Sequence, residues 1–140
     1  MQESWGKWQP ISGLEKYHNI YDIEYLAQGF FKILLIGHAE GKCVAVIFEN
    51  GVSAHRYTYE SLRTLRMPES SGAWTFFKVS KSSYIKLLFE KSNNETDYLS
   101  LMHFVFAGAD TIIDVVATYE PIVEFIDWEN RYKRWIKGDE

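Results

Sequence analysis

The chain has 140 residues, of which 46% are hydrophobic and 24% charged. These values are close to the globular average and exclude a disordered or fibrous protein. The length is that of one domain, residues 1–140, large enough to bury a core without disulfides or a structural metal. Fifteen Lys and Arg against nineteen Asp and Glu give a net charge of −4, which argues against nucleic acid or an anionic membrane as the general partner.

Aromatic residues are the compositional outlier, with 5 Trp, 9 Tyr and 9 Phe. Rings at this frequency suit pleated, half-buried sheet surfaces and binding faces. Cys43 is the lone cysteine and opens the apolar run Cys43–Phe48, where a thiol behaves as a small buried hydrophobe. One thiol excludes zinc sites built on repeated Cys-x-x-Cys pairs. No apolar run reaches the roughly 18 residues of a membrane span, and the first residues do not resemble a signal peptide. A cytoplasmic location is the expectation.

In chain order, Gly6, Pro10 and Gly13 predict an irregular segment over residues 1–16. Strands are expected at Tyr17–Leu26 and Phe30–Gly37, then Cys43–Glu49 after the polar turn His38–Lys42. Asn50-Gly51 between two apolar runs predicts a two-residue hairpin leading into Val52–Tyr57. Thr58 can cap a short helix over Glu60–Leu65, stopped near Pro68. Trp74–Val79 is β-prone, and Ser82 or Ser83 can cap a helix over Tyr84–Lys91. Tyr98–Ala107 alternates with two apolar faces, as a central strand does, and Gly108-Ala109-Asp110 turns it into Thr111–Thr118. Pro121 makes Ile122–Ile126 an edge strand or a crossover. Residues 128–137 have the pattern of an amphipathic helix, with Trp128, Tyr132 and Trp135 on one face and basic residues toward its end. The expected class is α+β: a mainly antiparallel, curled sheet of about seven strands with two short helices and a C-terminal helix.

The chemistry-bearing residues are sparse. There is no His-Glu-x-x-His helix, no Gly-x-Ser-x-Gly elbow and no phosphate-cradling glycine loop. His18, His38, His55 and His103 are scattered without metal-ligand spacing, so neither a metal nor a cofactor is expected. His103, in an apolar strand with Asp114 on the partner strand, is the acid/base pair available to an enzyme. Arg56, Tyr57, Glu60 and Arg63 form a candidate binding cluster, in which Arg56 could hold a carboxylate or phosphate. Trp128, Tyr132 and Trp135 form a second candidate, packing on the domain itself, on a second copy or on a partner.

The segments Tyr21–Tyr25, Phe48–Val52, Arg56–Glu60, Phe77–Val79, Ser82–Lys86 and Ile113–Val116, in that order, give the chain a resemblance to small bacterial proteins of uncharacterised or immunity-protein-like type from toxin-associated loci. The resemblance spans about residues 17–126 and carries no catalytic motif. It implies a protein that binds and neutralises a toxin. The leading expectation is therefore a cytoplasmic protein-interaction module, whose partner is a toxin or a second copy of the chain. The alternative is a small-ligand binder with an aromatic-lined cavity, and the third reading is an enzyme using His103 and Asp114.

Overall fold

Alternating apolar residues, punctuated by glycine and polar turns, make strands that bury one face and expose the other. The computed structural model describes residues 3–25, 29–59, 74–91 and 100–131, and these form nine strands and one α-helix. The strands are β1 (Ser4–Lys7), β2 (His18–Tyr25), β3 (Phe31–Gly37), β4 (Cys43–Phe48), β5 (Ala54–Tyr59), β6 (Phe76–Ser80), β7 (Met102–Ala107), β8 (Thr111–Ala117) and β9 (Ile122–Ile126). The helix α1 is Ser83–Lys91, and a short 3-10 turn covers Trp128–Asn130.

Instead of one curled sheet of about seven strands there are two antiparallel sheets. Sheet A has the order β1-β6-β7-β8-β5, and sheet B the order β2-β3-β4-β9. The main core lies between them. Phe31, Ile33, Val44, Val46 and Phe48 from sheet B meet Phe76, Phe104, Phe106, Ile113 and Val115 from sheet A, with Trp8 among them. Rings in this core contact one another: Trp8 lies 5.1 Å from Phe104, Phe48 5.8 Å from Phe104, and Phe76 5.6 Å from Phe106. β2 runs across sheet A. At its start the His18 N–H donates to Thr75 beside β6, and at its end the Tyr25 ring meets His55 on β5.

Two further expectations need correction. The segment 1–16 is not wholly irregular, because β1 pairs with β6 and sets Trp5 5.4 Å from Phe77. Gly6 is compatible with this edge strand, since a glycine weakens a strand without forbidding it. Asn50-Gly51 does turn, with Gly51 at φ +84, but it makes no hairpin. It carries the chain from sheet B to sheet A, because both edges of β4 are already paired, with β3 and β9. Gly51 lies against Gly29, and the Tyr119 hydroxyl joins the turn by accepting from the Asn50 N–H and donating to the Gly51 carbonyl. At the C-terminal end, the expected helix over 128–137 is described only as the 3-10 turn Trp128–Asn130; the remainder lies outside the described residues, as do the expected helix at 60–65 and the candidate residues Glu60, Arg63, Tyr132 and Trp135.

The β7–β8 hairpin, the β3–β4 hairpin and edge strand β9 form where expected. α1 packs on the outer face of sheet A through Tyr84, Ile85 and Leu88, against Val116, Ala54 and Leu101. No helix among the described residues is long and apolar enough to cross a membrane.

Candidate functional site

Strand periodicity puts His103, Asp114 and Arg56 in one row. His103 on β7 pairs with Val116, Asp114 on β8 pairs with Val105 and with Arg56 on β5, and all three side chains emerge on the outer face of sheet A. The chain leaves β6 through Lys81, whose φ of +55 is left-handed, and enters α1 at Ser82. That turn brings the Ser82 hydroxyl 2.7 Å from His103 Nδ1. His103 Nε2 lies 2.7 Å from Asp114 Oδ1, and Arg56 Nε donates to Asp114 Oδ2 at 3.0 Å. The result is a continuous relay Ser82–His103–Asp114–Arg56.

Donor accounting sets the direction of the bond to Asp114. Asp114 beside the Arg56 guanidinium is a carboxylate, which only accepts, so His103 Nε2 carries a proton and donates. Ser82 already accepts from the Ile85 N–H at 3.0 Å, which caps the first turn of α1. With His103 neutral and its proton on Nε2, Nδ1 is an acceptor, and the Ser82 hydroxyl donates to it. Ser82, His103 and Asp114 are buried, whereas the Arg56 side chain is 39% exposed. The Arg56 guanidinium also stacks 4.1 Å from the centroid of the Tyr84 ring, whose edge-on contact with His103 closes the cluster. Burial pushes the Tyr84 phenol up, Arg56 opposing.

Glu3, just before β1, completes the surroundings. Its carboxylate accepts from the Ser83 N–H at 2.9 Å, the Ser83 hydroxyl at 3.0 Å and the Trp5 indole at 3.1 Å. Burial alone would raise its pKa, but these hydrogen bonds outweigh it and hold the carboxyl below its ordinary value.

A different surface lies on the opposite face of β5. His55, Tyr57 and Tyr59 face the side on which sheet B lies, yet all three are exposed, Tyr57 at 53% and Tyr59 at 61%. Tyr25, 62% exposed, continues the row across to sheet B. Ring separations are 5.7 Å for Tyr25–His55 and 6.2 Å for Tyr57–Tyr59, and Phe31 supports His55 from beneath at 4.7 Å. Beside Tyr25 opens a cleft of about 290 Å³ lined by the Asn50–Ser53 turn, Thr118 and Tyr119.

The structure joins His103 and Asp114, which the sequence placed on partner strands, and adds Ser82, which the sequence identified only as a helix cap. It separates Arg56 from Tyr57: one belongs to the relay, its neighbour to the tyrosine row. Trp128 is 43% exposed, packs 5.0 Å from Tyr21 and carries Arg131 stacked on its ring. Burial pushes the Cys43 thiol up, in keeping with an inert core residue. Among the described residues no cluster of His, Cys, Asp and Glu could hold a metal ion. Comparison of the chain with protein families, curated proteins and solved structures yields no match.

Proposed function

We propose that this chain is a protein-interaction module, of the kind that binds and neutralises a toxin, and that it engages its partner through the tyrosine row of β5. The observation that carries this reading is the exposed set Tyr25, His55, Tyr57 and Tyr59, in which Tyr25 meets His55 and Tyr57 meets Tyr59. Strand residues directed toward the facing sheet are normally buried, and an uncovered row of rings is an exception to be explained by function. Tyrosine is enriched at interface centres because it buries a large area with only two rotatable torsions and has a hydroxyl to satisfy. The exposed faces of these rings give the partner apolar contact, and the adjacent cleft can take one protruding side chain.

The test is affinity capture from the native host with the wild-type chain and with Tyr57→Ala/Tyr59→Ala, followed by binding measurements on the recovered protein. A partner held by the wild type and at least tenfold more weakly by the double variant supports the reading. Equal capture by both moves the interface elsewhere. Concentration-dependent self-association that the double variant loses identifies the partner as a second copy.

A further inference from the structure

We propose that Ser82 is the nucleophile of a latent acyl-transfer site, with His103 as its base, Asp114 as the group that orients the base, and Glu3 as a built-in plug. A nucleophile–base–orienter chain is recognised by geometry and roles and not by sequence position. Both links here are 2.7 Å, within the range required for direct proton transfer. The imidazole is turned end for end relative to the familiar serine-hydrolase arrangement, with serine on Nδ1 and aspartate on Nε2. Either nitrogen can take the proton while the other donates.

Two further features match the chemistry. Ser82 lies at a strand-to-helix turn entered through a left-handed residue, Lys81, the kind of tight turn that presents a nucleophile. The N–H of the following residue, the usual first donor to a developing oxyanion, already holds a carboxylate oxygen: Glu3 Oε1, 2.9 Å from Ser83 N. A carboxylate at that position stands in for the oxyanion of a tetrahedral intermediate. The Glu3 side chain is in effect a bound short-chain acyl group, and this sets the substrate class as esters of short-chain carboxylic acids.

Ser82 Oγ would attack the ester carbonyl carbon while its proton passes to His103 Nδ1. The carbon–oxygen bond to the leaving alcohol breaks, and the alcohol departs with that proton. Water then attacks the acyl-serine, gives a proton to His103, and releases the carboxylic acid as the proton returns to Ser82. Arg56, on the far side of Asp114, keeps the orienting carboxylate ionised throughout. With Ser82 only 5% exposed, substrate enters when Glu3 withdraws. β1 is a four-residue strand at the sheet edge, an element of the kind that opens locally at low free-energy cost.

The test is labelling of the full chain with a fluorophosphonate, located by peptide mass spectrometry, alongside hydrolysis of p-nitrophenyl propionate. Wild type should label slowly on Ser82, Glu3→Ala at least tenfold faster, and Ser82→Ala not at all, while Ser83→Ala still labels. Glu3→Gln, which keeps the side-chain shape but loses the charge, should label at an intermediate rate and serves if Glu3→Ala fails to fold. Absence of a Ser82 adduct in wild type and in every folded Glu3 variant overturns the proposal. So does an adduct that persists in Ser82→Ala. Binding by the tyrosine row is unaffected by either result.

Discussion

The two faces of β5 differ in almost every physical respect although their residues alternate along one strand. Arg56 faces α1 and closes a buried relay in which every polar atom of Ser82, His103 and Asp114 shown in contact has a specified partner. His55, Tyr57 and Tyr59 face the other way, where His55 meets Tyr25 and Phe31 and Tyr57 meets Tyr59. On the first face removal of one group strands its neighbours in a low dielectric; on the second it returns a ring to water it already meets. Stability should therefore reside in the relay and recognition in the row.

The sharpest way to break this contrast is Asp114→Ala. It leaves His103 and Arg56 without their shared acceptor, and the expected loss is about 3 kcal/mol by urea denaturation, the order found for broken buried pairs. A loss below about 1 kcal/mol would show that the relay does not hold sheet A and α1 together. Next in size is Gly51→Val. Gly51 has φ +84, and a Cβ there would sit 2.8 Å from the Gly29 carbonyl oxygen, so the joint feeding β5 from sheet B would be strained. About 2 kcal/mol should be lost; an unchanged denaturation midpoint would remove the turn from the account.

A third comparison sets His103 against His18. Both are buried, but His103 is bonded through both ring nitrogens, while neither ring nitrogen of His18 has a hydrogen-bond partner and its ring meets Phe76 edge-on. Burial holds the His18 imidazole below the ordinary histidine value, with Glu15 pulling weakly the other way. The unfolded chain then binds more protons than the native one. This contribution is complete above the unfolded value of about 6.5 and is lost as pH falls from there toward the lower folded value. His18→Phe should flatten the stability profile in that window, and an unaltered slope would assign it to another group. The smallest effect belongs to Tyr57→Ala/Tyr59→Ala, expected to shift stability by no more than about 0.5 kcal/mol. A larger loss would make the row part of the fold and weaken the interaction reading.

The legibility of this molecule from its sequence follows the same division. Met102–Ala107 shows both apolar faces of a central strand in its alternation, and His103 with Asp114 follows from one hairpin register. Local patterns of this kind fix which residues share a face. They do not say which sheet a strand joins, and the Asn50-Gly51 turn illustrates the gap: its positive φ was foreseeable, but the pairing of β4 with β9, seventy and more residues on, was not. Ser82 was legible as a cap because capping is local. Its contact with His103 depends on α1 lying across β7, a tertiary fact with no local signal.

The pairing of β1 with β6 has a consequence for how the chain is made. Ser4 meets Ser80, 76 residues further along, so β1 must wait for a partner synthesised much later. β2, β3 and β4 form a meander that can close as soon as Phe48 has emerged, and this part of sheet B can acquire order first. During that interval Trp5 has no Phe77 to pack on, and Glu3 no Ser83 to hold. β1 thus stays unpaired until β6 has been made, and a newly made chain passes through a period with the Trp5 ring uncovered.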